Sequence, residues 1–303
     1  MEKDAFGIEL REIDELEKKP KIVKKKESYN KKYVIFQIVI IIIFILAFAF
    51  TFNYDINKHA IKKSLIIFDF DKTITETDVF EDQRFLFDSK EEQEDLLKRF
   101  TTGENWTSLM QSVYERFYSL NISIDNINHM IDQSNITRGM LDFFEFLKKN
   151  KDKFIIAIMS AGHYYQIIRV LDRINMTNLF DEIIAIPSYI KDNKVCVYQN
   201  YDHNCDICNA CQCKTSEYNK LTDKYKKSKN IIFTHTFYVC DGLNDFCLAR
   251  NLHEYDTLIV RKGYGLHDAL YEKGKIEKLK CKVYSWDNGL DIVNYFYQNK
   301  SES

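Results

Sequence analysis

Apolar residues along this chain follow two rhythms. Short, nearly continuous runs rich in β-branched residues recur at Leu65-Ile66-Ile67-Phe68-Asp69, Phe154-Ile155-Ile156-Ala157-Ile158, Glu182-Ile183-Ile184-Ala185-Ile186, Phe237-Tyr238-Val239-Cys240 and Thr257-Leu258-Ile259-Val260. Runs of this length predict strands buried on both faces. Between several of them the spacing changes: Met140, Phe143, Phe144 and Leu147 fall at i, i+3, i+4, i+7, as do Ile167, Val170, Leu171 and Ile174. That spacing lays one apolar stripe along a helix. Alternating strands and helices predict an α/β fold built on a doubly wound parallel sheet. The stretch from Val79 to Asn150 holds no comparable strand but has helical segments around Trp106 to Leu120 and Ile124 to Ile131. It reads as a helical cap inserted over 79–150, dividing a core made of 62–78 and 151–298.

A different pattern precedes the first strand. From Val34 to Phe52 only Gln37 and Thr51 interrupt an apolar run. As a helix these residues would rise roughly 28 Å, near the thickness of a hydrocarbon core. One transmembrane helix over 33–53 is therefore expected, following a basic tail over 1–32. Lys18, Lys19, Lys21, Lys24, Lys25, Lys26, Lys31 and Lys32 precede the run, whereas only Lys58, Lys62 and Lys63 follow it closely. By the charge rule the N-terminus is cytoplasmic and the catalytic part lumenal or extracellular. Ala47-Phe48-Ala49 has the small-x-small form of a cleavage site, but 32 residues are many for the segment before a signal peptide's apolar core.

Composition narrows the function classes. With 45% apolar residues in 303, the chain can bury a core, and a formal charge of −2 carries no bias toward nucleic acid. All eight cysteines lie from Cys196 onward, so they belong to one part of the fold. His203, Cys205, Cys208, Cys211 and Cys213 form a possible structural cluster with spacing that suits zinc, disulfides or free thiols alike.

Chemistry gathers where predicted strands end. Ligands of a doubly wound sheet bind at the strands' carboxyl ends, and those ends carry Asp69 with Asp71, then Ser160, then Asp241 with Asp245. Asp-x-Asp after a strand is, alone, a common turn former. A second acidic pair in the same place, Asp241-Gly242-Leu243-Asn244-Asp245, makes a hard-oxygen site suited to magnesium.

Phe68-Asp69-Phe70-Asp71-Lys72-Thr73, Ser160, a lysine and Asp241-Gly242-Leu243-Asn244-Asp245 occur in the order of the four motifs of haloacid dehalogenase-like hydrolases, which this chain resembles. The insertion over 79–150 resembles that family's C1-type cap. Within it, the chain is similar to the phosphoethanolamine/phosphocholine phosphatases, a group that includes pyridoxal-phosphate phosphatases. His203-Asn204-Cys205-Asp206-Ile207-Cys208, Cys213-Lys214, Asn105-Trp106-Thr107 and Arg138-Gly139-Met140 carry that likeness. The resemblance implies a magnesium-dependent phosphatase that hydrolyses a small phosphorylated metabolite through an aspartyl-phosphate intermediate. Asp69 is the implied nucleophile and Asp71 the acid and base, with Ser160 and Lys214 on the phosphoryl oxygens. Mg2+ is implied on the Asp69 side chain, the Asp71 backbone carbonyl, Asp241 and Asp245. Lys220 or Lys224 could replace Lys214 on spacing alone; its place beside Cys213 selects it. Two other functions use the same residues: a phosphotransferase on this scaffold, or a membrane-tethered zinc or redox module with an idle scaffold. Met159 and Ala161 stand where the narrower group tends to have Asp and Asn beside the motif serine, which removes a carboxylate that could pair with a substrate amine.

Overall fold

The computed structural model describes residues 33–48, 60–102, 104–198, 205, 208 and 212–299. The chain divides into two units, 1–60 and 61–303. In the first, residues 33–48 are helical with largely exposed apolar side chains. Among the described residues no helix is long and apolar enough to cross a membrane. A helix over 33–48 rises roughly 24 Å, against about 30 Å of hydrocarbon. The expected spanning helix over 33–53 is corrected accordingly, and so are the membrane contact and the lumenal or extracellular placement that depended on it. Residues 49–53 and the basic tail over 1–32 lie outside the described residues.

The second unit is built on strands β1 (Ile61–Phe68), β2 (Phe154–His163), β3 (Glu182–Ile186), β6 (Ile231–Cys240), β7 (Thr257–Arg261) and β8 (Lys282–Trp286). They form a six-stranded sheet in the order β3-β2-β1-β6-β7-β8, and every pairing in it is parallel. The five runs read from sequence are all strands; β8 joins them at one edge. A short antiparallel hairpin, β4 (Ser188–Lys191) with β5 (Lys194–Val197), lies apart from this sheet.

Alternation along β1 explains the two covered faces. Ile66 and Phe68 belong to one apolar cluster with residues of helices α5 (Met140–Lys149), α6 (Tyr164–Arg173) and α10 (Gly289–Gln298). Leu65 and Ile67 belong to a second, with residues of α7 (Lys214–Lys229), α8 (Phe246–Ala249) and α9 (Gly265–Tyr271). Successive strand residues point to opposite faces, so a continuous apolar run must be clad on both. Met140, Phe143, Phe144 and Leu147 are fully buried, as their spacing predicts.

Between β1 and β2 the described elements are helical: α1 (Val79–Gln83), α2 (Lys90–Thr101), α3 (Trp106–Ser119), α4 (Ile124–Asp132) and α5, with one 3-10 turn at Arg84–Leu86. Asn105 starts α3 by accepting from the Ser108 N–H, and Ser123 with Asn126 forms a capping box on α4. Because β1 is flanked by β2 on one side and β6 on the other, the chain reverses its winding there. The carboxyl ends of β1 and β6 therefore open onto the crevice where such sheets bind ligands.

Candidate active site

Asp69 follows β1 and Asp241 follows β6, and the two ends are locked together because the Asp69 N–H donates to the Val239 carbonyl at 2.8 Å. Parallel pairing of Phe68 with Val239 sets both carboxylates side by side. Asp245 comes from the turn after Asp241, where its Oδ2 accepts from the Gly242 N–H at 2.9 Å. One carboxylate oxygen from each of Asp69, Asp241 and Asp245 lies within 4.8 Å of the others, and all three side chains are buried.

Lys214, the first residue of α7, reaches into this group and is 2% exposed. Its Nζ is 2.9 Å from Asp69 Oδ2 and also donates to Asp245 Oδ1. Tyr238 donates its hydroxyl to the same Asp245 oxygen. Thr73 Oγ1 donates to Asp241 Oδ1 at 3.3 Å, and the Phe70 N–H donates to Asp69 Oδ1 at 2.7 Å.

Burial and crowding set the protonation of the group. Burial, then repulsion from Asp245, pushes the Asp69 carboxyl up to about 7 against the pull of Lys214. Burial, then Asp69 and Asp245, pushes Asp241 to about 8. Burial disfavours the Lys214 charge, but Asp245 and Asp69 outweigh it and hold that amine above its ordinary value. Fully ionised, the three carboxylates would outnumber the one ammonium in contact with them by two charges, which is why Asp69 and Asp241 hold protons so strongly when no cation balances them. A divalent cation with hard oxygen ligands fits that deficit and that donor set.

The Asp71 carboxylate is not part of this triad. A Cβ placed on Gly162 would lie 3.2 Å from Asp71 Oδ2 and 3.1 Å from Ser160 Oγ, so both side chains turn toward the same small space. Ser160 is buried in the carboxyl-terminal half of β2, and its Oγ accepts from the Gly162 N–H at 2.9 Å. Just past Asp71, Lys72 takes φ +55°, a left-handed conformation unusual for a side-chain-bearing residue. Arg261, at the end of β7, holds this bend by donating to the Lys72 carbonyl and pairing with Glu76 at 2.7 Å.

The helical insertion touches the last residues of β2. Trp106 Nε1 donates to the Ala161 carbonyl at 2.9 Å, and its ring stacks on His163 with centroids 6.2 Å apart. Burial depresses His163 to about 3, so the imidazole is neutral; its Nδ1 meets the Tyr114 hydroxyl at 3.2 Å.

Asp69, Asp241, Asp245 and Lys214 thus converge, with Asp71 and Ser160 beside Gly162. Thr73, Tyr238 and Arg261 also support the site and were not singled out from sequence. Thr73 stands in the Asp69-Phe70-Asp71-Lys72-Thr73 motif and Tyr238 in the strand before Asp241, whereas nothing local marks Arg261. Of the cysteine cluster, Cys205, Cys208 and Cys213 come together with Cys247, which the spacing did not include. His203 and Cys211 lie outside the described residues.

Residues 64–299 match a protein-family model described as "Putative Phosphatase". Among curated proteins, the chain is 28% identical over 236 residues to the pyridoxal phosphate phosphatase of Bos taurus, covering 77% of this chain and 97% of that one. It is 26% identical over 255 residues to the phosphoethanolamine/phosphocholine phosphatase of Gallus gallus, covering 78% and 88% respectively. Among solved structures, a phospho-aspartyl intermediate analogue of phosphoserine phosphatase superposes with TM-score 0.50 at 18% identity, covering 78% of this chain and 99% of that one. A substrate-bound phosphoserine phosphatase gives TM-score 0.51 at 16% identity, covering 78% and 99%. At these identities the superpositions speak for the fold.

Proposed function

We propose a chemistry for this chain from one premise: it belongs to the phosphatase family whose model residues 64–299 match, within the haloacid dehalogenase-like hydrolases. It is a phosphoric monoester hydrolase by class. The proposed reaction is hydrolysis of a small phosphomonoester in two steps through Asp69, with Mg2+ held by Asp69, Asp241, Asp245 and the Asp71 carbonyl. The observation that carries this reading is the buried contact of Lys214 with Asp69 beside two further carboxylates. A scaffold with no catalytic task gains nothing from burying three like charges together.

In the first step an Asp69 oxygen bonds to phosphorus while the bond from phosphorus to the substrate's alcohol oxygen breaks. Asp71 gives its proton to that departing oxygen. In the second step water attacks phosphorus, Asp71 takes the water's proton, and Asp69 is released with inorganic phosphate. Both proton transfers use one carboxyl, so the acid of the first step becomes the base of the second. Bound magnesium supplies the positive charge that keeps Asp69 ionised and offsets charge on the transferring group.

The other residues orient. Ser160 Oγ already accepts from the Gly162 N–H, which leaves its own proton to donate to a phosphoryl oxygen. Lys214, at the N-terminus of α7, brings an ammonium and a helix end to the same oxygens. The helices over 79–150 act as a cap, and the Trp106 to Ala161 hydrogen bond couples them to the stretch of β2 that carries Ser160. Small substrates are supported by the curated relatives, which are named for pyridoxal phosphate and for phosphoethanolamine and phosphocholine.

The test is phosphate release by the full chain from these three compounds and other small phosphomonoesters, with Mg2+, with chelator, and with Asp69→Asn. Release from at least one compound should vanish with chelator and in the variant. Undiminished release by Asp69→Asn would remove the nucleophile from the scheme.

A further inference from the structure

The cysteine group is a second centre, separate from the carboxylates. Sulfurs of Cys205, Cys208, Cys213 and Cys247 all lie within 4.8 Å of one another, with Cys208, Cys213 and Cys247 buried. Cys205 to Cys247 is 3.3 Å and Cys213 to Cys247 is 3.7 Å. A disulfide needs about 2.05 Å, so these sulfurs are not bonded pairs. Four thiolates held about 2.3 Å from one tetrahedral ion would stand about 3.8 Å apart; Cys213 to Cys247 is within about 0.1 Å of that, Cys205 to Cys247 is shorter by about 0.5 Å, and the whole group lies within 4.8 Å. The space suits a single ion.

The surroundings match a metal centre. Cys205 and Cys208 have the two-residue spacing of a metal knuckle, Cys213 is the N-cap residue of α7, and Cys247 lies in α8. Thr215 Oγ1 is 3.0 Å from Cys247 Sγ, close enough to donate to a thiolate. Asn251 Nδ2 in turn donates to the Cys247 carbonyl at 2.7 Å and to Thr215 Oγ1 at 3.3 Å. Such outer hydrogen bonds orient metal ligands.

We propose that Cys205, Cys208, Cys213 and Cys247 bind one structural zinc ion that ties the start of α7 to α8. Cys213 precedes Lys214, and Cys247 follows Asp245 by two residues. The ion therefore clamps backbone on both sides of the buried Lys214 to Asp245 contact. The zinc site stands apart from the phosphatase reading; only its effect on Lys214 rests on that reading.

Metal content of the full chain, purified without chelator and desalted, tests this. About one zinc per chain is expected, retained in Asp69→Asn and lost in the Cys208→Ser/Cys247→Ser double variant. Because that variant can fail to fold, the wild-type chain is also titrated with an organomercurial while a chromogenic chelator reports released zinc. Zinc should leave in proportion to the thiols consumed. Cobalt(II) in its place should give the sulfur-to-cobalt charge-transfer absorption of a tetrahedral thiolate site. A folded wild-type chain with far less than one zinc, iron there instead, or zinc retained by the double variant overturns the proposal. Loss of phosphatase activity in Asp69→Asn with zinc still bound separates the two centres.

Discussion

Replacing Lys214 with methionine keeps most of the apolar stem of the side chain and removes the terminal ammonium, with its charge and its hydrogen-bond donors. Lys214 is 2% exposed and contacts both Asp69 and Asp245. Removing one partner of a buried ion pair costs about 3–5 kcal/mol. At about 2–4 °C per kcal/mol for a unit of this size, the melting temperature should fall roughly 6–20 °C. The size of the loss depends on pH. Carboxylates that lose their ammonium escape by taking up protons, and Asp69 and Asp241 already sit at about 7 and about 8 with Lys214 present. Their folded pKa values exceed the ordinary 3.8, so the metal-free fold binds protons that the unfolded chain does not. Stability from this source is greatest at low pH and declines as pH rises through 7 and 8. Loss of Lys214 raises both carboxyls further and steepens that decline. Melting of both proteins in chelator, at pH values below and above this window, should show a small gap at the acid end and a large one at the alkaline end. Phosphatase activity with Mg2+ should fall about 10²–10³-fold, the scale of losing one preorganised donor to a transition state. A gap that does not change with pH, joined to activity within tenfold of wild type, would refute this reasoning.

Asp71→Asn should fold normally and lose about 10²–10⁴-fold in kcat, measured by steady-state phosphate release, because the acid and base of both steps is gone. Apparent Mg2+ affinity, read by calorimetry, should strengthen as pH rises through 7 and 8, since Asp69 and Asp241 must shed protons to bind the ion. Gly289→Ala should lower the melting temperature, because a Cβ there would lie 2.2 Å from the Gly139 carbonyl oxygen where α5 and α10 begin. Overpacking of this kind costs about 1–3 kcal/mol, and more when backbone must move.

What the sequence made legible follows from burial. Strands covered on both faces must be apolar throughout, so β1, β2, β6 and β7 announced themselves, as did the other edge strand β3, half buried over Glu182–Ile184 but apolar from Ile183 to Ile186; the polar residues toward or just past their carboxyl ends marked the crevice. The edge strand β8 is only half buried along most of its length, so Lys282-Val283-Tyr284-Ser285-Trp286 shows no continuous apolar run. The β4–β5 hairpin turns through Asp192 and Asn193, at φ 50° and 58°, a local signal that was present in the residues but short. Cys247 could not be assigned from spacing, because buried Cys240 and Cys281 look identical to it in sequence while standing outside the cluster. Arg261 acts through a contact 189 residues away, with the Lys72 carbonyl, which no local pattern records. The apolar run over 34–52 predicted a spanning helix, whereas among the described residues no helix is long and apolar enough to cross a membrane.

The central claim is a covalent bond between Asp69 and phosphorus. Quenching the full chain during turnover with borohydride reduces an acyl phosphate to the alcohol, which converts the modified aspartate to homoserine. Peptide mass spectrometry should find homoserine at position 69 only when substrate and Mg2+ are both present, and at no other aspartate. Efficient turnover with unmodified Asp69, or homoserine at a different residue, would contradict the account.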